Sequence, residues 1–159
     1  MAEQLFFTST DKSTRYAELL PQLEALIGSE KDPVANMANI SAALKAAFEW
    51  FWIGFYIVRG QELILGPFQG PIACTRIQFA KGVCGTAWAE QKSQLVPDVE
   101  AFAGHIACSS LSKSELVVPI FKDEQVWGVL DIDSTKIADF DQTDQIEIEK
   151  LMTWFATCL

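Results

Sequence analysis

The run Trp50-Phe51-Trp52-Ile53-Gly54-Phe55-Tyr56-Ile57-Val58 constrains this chain more than any other segment. Aromatic and β-branched side chains crowd a helix and suit a pleated surface, so the run reads as a strand. It is the longest strongly apolar stretch, yet it falls far short of the roughly 20 residues that a membrane-spanning helix needs. The polar turn Arg59-Gly60-Gln61-Glu62 sends it back into Leu63-Ile64-Leu65 as a hairpin. Further strands are expected at Thr75 to Phe79, Gln94 to Val96, Glu115 to Phe121 and Gln125 to Asp131.

Helical patterns bracket these strands. Tyr16, Leu19, Leu20, Leu23 and Ile27 recur at helical spacing, with Gly28 as a stop and Pro21 as an expected kink or break. Asp32 followed by Pro33 marks a second start, with Val34, Met37, Ile40, Leu44, Ala47 and Phe48 as its buried stripe. Gly82 to Glu90 suits a short helix. Thr143 is expected to cap a final one carrying Ile148, Leu151, Met152, Phe155 and Leu159. Pro97 to Lys113 has no sustained period, and a loop of that length inside a domain is usually functional. The fold class is therefore α+β: one domain over residues 1–159, with a mainly antiparallel sheet between N- and C-terminal helices.

Composition narrows the function classes. With 12 Lys+Arg against 21 Asp+Glu, the net charge of −9 excludes broad phosphate-backbone binding, so no nucleic-acid partner is expected. A small anionic ligand can still be held by backbone N–H groups. Glu3 comes early and the first basic residue is Lys12, which is not a secretory pattern. The expected location is the cytoplasm, with no membrane association. In that reducing compartment four cysteines read as thiols, ligands or redox catalysts rather than structural bridges.

Three of them, Cys74, Cys84 and Cys108, stand beside glycines or other small residues in loop-like contexts. Each one alone also fits a buried small hydrophobe. With His105 they form a Cys₃His set on paper, but only His105 and Cys108 have the close spacing of paired zinc ligands, so no metal is expected. Cys158, at the end of the last helix, reads as a spectator. Acidic residues supply the second feature. Glu115 begins a strand, and alternation puts Asp131 and Asp133 on one face of the next. Carboxylates crowded in a pocket attract an ammonium group and hold a proton near neutrality. Trp50, Trp52 and Tyr56 are expected on one strand face, an aromatic wall suited to a methyl-thioether or a cation.

Five ordered segments then carry a resemblance: Gly66-Pro67-Phe68-Gln69-Gly70-Pro71-Ile72-Ala73-Cys74, Lys81-Gly82-Val83-Cys84-Gly85-Thr86, Gly104-His105-Ile106-Ala107-Cys108, Ser114-Glu115-Leu116-Val117-Val118-Pro119-Ile120, and Gly128-Val129-Leu130-Asp131-Ile132-Asp133-Ser134. Together they resemble the free methionine-(R)-sulfoxide reductases, a family of GAF domains that act as enzymes. The sequence departs from that family at Ala103, where it tends to have proline, and at Ser109, where it often has aspartate.

The resemblance implies an oxidoreductase acting on free methionine-(R)-sulfoxide. Cys108 would attack sulfur and form a sulfenic acid, and Cys74 would resolve it to a disulfide. Cys84 is the alternative attacker or an additional resolving thiol. Glu115, Asp131 and Asp133 would bind substrate, and Glu115 or Asp133 would serve the sulfoxide oxygen. Trp52 and Tyr56 would seat the S-methyl group, and N–H groups around Gly82 and Gly85 the α-carboxylate. The resemblance further implies a homodimer, a role under oxidative stress, and thioredoxin as external reductant in place of a bound cofactor. Fold alone also accommodates a non-catalytic GAF module that senses a small molecule.

Overall fold

The computed structural model describes residues 4–106 and 108–159. Helices α1 (Lys12–Ile27) and α2 (Pro33–Phe48) lead into strands β1 (Trp52–Arg59), β2 (Glu62–Gln69) and β3 (Arg76–Gln78). Helix α3 (Gly82–Glu90) and strand β4 (Gln94–Val96) follow, then β5 (Ser114–Lys122), β6 (Gln125–Ser134) and α4 (Gln142–Ala156). The six strands pair in the order β3-β2-β1-β6-β5-β4, antiparallel throughout. No helix among the described residues is long and apolar enough to cross a membrane.

Strand alternation divides the core between the two faces of this sheet. Ile53 and Phe55 of β1, Leu116, Val118 and Ile120 of β5, and Leu130 and Ile132 of β6 point to α1, α2 and α4. Trp52, Tyr56, Val117 and Val129 point the other way, toward α3 and the long loops. At the far end of β6 the pairing slips: Ile120 faces Gly128 but Phe121 faces Val126, leaving Trp127 as an inserted residue. That bulge turns Trp127 to the helix side, where it meets Phe155 edge-on.

The N-terminal helix is tied down through the last one. Asp144 is fully buried and accepts from the Tyr16 hydroxyl, from Lys12 and from the Asp141 backbone N–H. Asp141 in turn caps the first turn of α4, completing a reciprocal box.

Several sequence expectations need correction. Asp141, not Thr143, caps α4, because its carboxylate reaches the Thr143 and Asp144 amides. Pro21 does not break α1, which runs through it unbroken. Val34 lies on the outer side of α2 and is exposed. Trp50 stands before β1 rather than in it, so alternation does not apply: it stacks on Phe48 and packs against Phe140 on the helix side. β2 extends to Gln69 and β6 to Ser134, because continuing ladder partners outweigh the glycine and acidic residues that suggested ends. Within Pro97 to Lys113, Val99–Ala101 forms a 3₁₀ turn capped by Asp98.

Asp144→Ala removes the acceptor for Tyr16 and Lys12 and half of the capping box. It is expected to destabilise the fold by about 3 kcal/mol, read as a lowered denaturant midpoint with an unchanged slope.

Candidate active site

Register alone brings the acidic residues together. Glu115 of β5 faces Asp133 of β6, and Asp133 faces Trp52 of β1. The adjoining row runs Val117, Asp131 and Gly54. All these side chains emerge on the α3 side, where β5 and β6 supply three carboxylates and β1 supplies the aromatic wall. They line a partly open pocket together with Cys84, His105, Ser112 and Cys108.

The wall depends on a strand glycine. A Cβ on Gly54 would stand 2.4 Å from the Trp52 ring and 2.4 Å from the Phe68 Cβ. Without it, the Trp52 indole lies across the strand, stacked on Phe68 at 5.4 Å and near Tyr56 at 6.0 Å. Both polar tips are used: Trp52 Nε1 donates to the Pro71 carbonyl at 3.0 Å, and the Tyr56 hydroxyl donates to the Cys74 carbonyl at 2.9 Å. The wall therefore also positions the segment that carries Cys74. Gly70, at φ +141°, lets that segment pass over Trp52, since a Cβ there would lie 2.6 Å from the ring.

Cys74 and Cys108 are joined as a disulfide, with Cα atoms 5.6 Å apart and a sequence separation of 34. Cys108 is exposed and Cys74 half-buried. Cys84 is apart from the bridge: it is a free, buried thiol in the first turn of α3, with Asp131 and Glu115 beside it. Cys158 is free and half-buried beyond α4.

Helix α3 opens on the pocket. Its first residues Gly82, Val83 and Cys84 line it, and no side chain caps their amides. The Gly85 N–H, by contrast, donates to the Lys81 carbonyl at 3.0 Å. Around Gly82 and Gly85 the available donors are thus those of Gly82 to Cys84.

Electrostatics follow from burial. Desolvation pushes the Glu115 carboxyl well above its usual range, and the charges of Asp131 and Asp133 push it further. Burial, then the Asp133 charge, does the same to Asp131. Asp133 is pushed up to about 6 by desolvation, with Ser112 partly offsetting it. Cys84 is raised by burial and then by the charges of Asp131 and Glu115, so its thiol stays protonated. Tyr56 is raised by burial in the same way. His105 Nε2 lies 3.9 Å from a Glu115 oxygen, while burial lowers its own pKa. The site thus stores protons among crowded carboxyls, and a cation entering it would drive them off.

Sequence reasoning passed over Gly54, Phe68 and Ser112. A glycine in mid-strand is itself a signal of close approach, and Gly54 carried that signal. Phe68 and Ser112 carried none, because their neighbours come from distant segments.

The family model for the GAF domain matches residues 37–159. GAF domain-containing protein A of Dictyostelium discoideum is 53% identical over 153 residues, 96% of this chain and 97% of that protein. The free methionine-R-sulfoxide reductase of Escherichia coli is 43% identical over 143 residues, 89% of this chain and 87% of that one. The free methionine-R-sulfoxide reductase of Neisseria meningitidis, solved in complex with its substrate, superposes with a TM-score of 0.96 at 52% identity, covering 98% of this chain and 94% of that chain.

With the bridge closed, a thiol alkylating agent at neutral pH is expected to label Cys158 rapidly and Cys84 only after unfolding. Reduction should add Cys108 as the fast site. Peptide mass mapping of the labelled protein checks both.

Proposed function

Because the chain belongs to the GAF-domain family of free methionine-R-sulfoxide reductases, we propose that it reduces free L-methionine-(R)-sulfoxide to methionine. The observation that carries this reading is a disulfide whose Cys108 lines the same pocket as three carboxyls. A redox couple and a cation receptor at one site suit an amino-acid sulfoxide.

In the reduced enzyme the Cys108 thiolate attacks the sulfoxide sulfur, and a protonated carboxyl, Glu115 or Asp133, delivers a proton to the oxygen. The oxygen passes to Cys108 as a sulfenic acid, and methionine leaves. The Cys74 thiol then attacks the sulfenic sulfur, forming the disulfide and releasing water. A dithiol such as thioredoxin returns two electrons and two protons by thiol–disulfide exchange, so no bound cofactor is needed. The exposure of Cys108 and its closeness to Cys74 support these roles over one for buried Cys84 as first attacker.

Recognition divides between two ends of the substrate. The α-ammonium goes to Glu115, Asp131 and Asp133, and the α-carboxylate to the amides at the start of α3. Methionine sulfoxide within a peptide has neither free charge, so the buried carboxyls would remain without a cation. The S-methyl group packs on Trp52 and Tyr56. The working form is proposed as a cytoplasmic homodimer.

A sensing module remains the second reading, separated by one assay. The purified protein with a dithiol should convert the free (R) epimer and leave the (S) epimer and peptide-bound sulfoxide untouched. Recovery of the sulfoxide unchanged would support sensing instead. Cys108→Ser should abolish turnover. Glu115→Gln should lower kcat/KM by about 100-fold, the equivalent of about 3 kcal/mol for a charged contact in a water-poor site.

The pH dependence has a definite sign. Asp133 holds its proton to about pH 6 in the free protein, against a usual 3.8, so folding stability from this group is present below 3.8 and is lost as pH rises through about 6. An ammonium ligand favours the ionised carboxylate, so binding expels protons. Affinity should climb by up to about tenfold per unit as pH approaches that value from below. Calorimetry in buffers of different ionisation enthalpy reads the released protons directly.

A further inference from the structure

Cys84 Sγ, a Glu115 oxygen and an Asp131 oxygen all lie within 4.8 Å of one another, each on a buried side chain. Asp131 is only 7% exposed, and its Oδ1 has no hydrogen-bond partner among the described residues. The nearest basic side chain, His105, is 3.9 Å from Glu115 and is held toward its neutral form by burial. An α-ammonium would use the oxygens of this cluster. The sulfur adds almost nothing for such a ligand, because a thiol is a weak acceptor. It also stands outside the Cys74–Cys108 bridge.

We propose that Cys84, Glu115 and Asp131 form a binding site for a zinc-class divalent cation, which excludes the substrate's ammonium group and so inhibits the enzyme. One sulfur and two carboxylate oxygens form a mixed donor set that suits Zn²⁺ or Co²⁺, whereas Mg²⁺ and Ca²⁺ take oxygen ligands throughout. These atoms, within 4.8 Å of one another, stand close to the roughly 3.5 Å separations around a four-coordinate ion. The donors come from three elements, α3, β5 and β6, so the site is held by the sheet rather than by a loop. It differs from the Cys₃His set weighed from sequence, since the closed bridge removes two of those sulfurs.

On binding, the Cys84 thiol and any protonated carboxyl lose their protons to solvent, and metal–sulfur and metal–oxygen bonds form. No electrons move. Two positive charges then replace one at a place where three carboxylates converge. Occupancy by the ion and by methionine sulfoxide is mutually exclusive. That exclusion rests on the function proposed above, whereas the metal site itself does not.

The test is a Co²⁺ titration of the disulfide-bonded Cys158→Ser protein, in which Cys84 is the one remaining thiol. A saturable thiolate-to-cobalt charge-transfer band at one equivalent is expected, displaced by Zn²⁺ and unaffected by excess Mg²⁺. Cys84→Ser should remove the band and weaken binding by more than the roughly 10- to 100-fold that outer-shell changes cost. Asp131→Asn should weaken it while leaving the band. No saturable band, or one that survives Cys84→Ser, overturns the site. Free methionine-(R)-sulfoxide should displace the cobalt. A band that persists under saturating sulfoxide overturns the exclusion. Cobalt binding by a protein that fails to reduce sulfoxide would instead overturn the proposed function and leave the metal site standing.

Discussion

Three carboxyl groups forced together on one face of β5 and β6 are the constraint on which the rest of this structure turns. Crowded and desolvated, they raise one another's pKa and hold protons that isolated side chains would release. Such an arrangement opposes folding unless the surrounding sheet is stable enough to impose it. The helix-side core supplies that stability, with α1, α2 and α4 packed over the opposite face. The sheet thus separates the larger apolar core from a face where a second apolar cluster surrounds the crowded carboxyls.

The two halves of the site are coupled through β1. Trp52 and Tyr56 form the wall beside the acids and also donate to the Pro71 and Cys74 carbonyls. The same side chains therefore line the pocket and hold the segment that carries one sulfur of the bridge. The other sulfur, on Cys108, belongs to an exposed loop just beyond His105, which itself approaches Glu115. The disulfide and the carboxyl cluster thus share structural supports.

Much of this was legible in the order of residues. Period-two alternation placed Asp131 and Asp133 on one face, and the aromatic run announced the central strand. The Asp32–Pro33 pair marked the start of α2. Failures occurred where local pattern was extended past its element. Trp50 was read into β1 by alternation, yet it precedes the strand and packs on Phe48. Thr143 was read as the cap, although Asp141 has the better-placed carboxylate.

The sequence alone determined which residue types could do chemistry and which elements would carry them, because side-chain periodicity and capping are local properties. It also carried the motifs that made the family recognisable. Only the tertiary structure decided that Glu115 lies across from Asp133 and that Cys74 meets Cys108 rather than Cys84. It likewise decided that Cys84 is buried against the acids. Those facts depend on strand register and on loops that close over tens of residues. Such pairings are chosen by the packing of the whole sheet, and no window along the chain contains it.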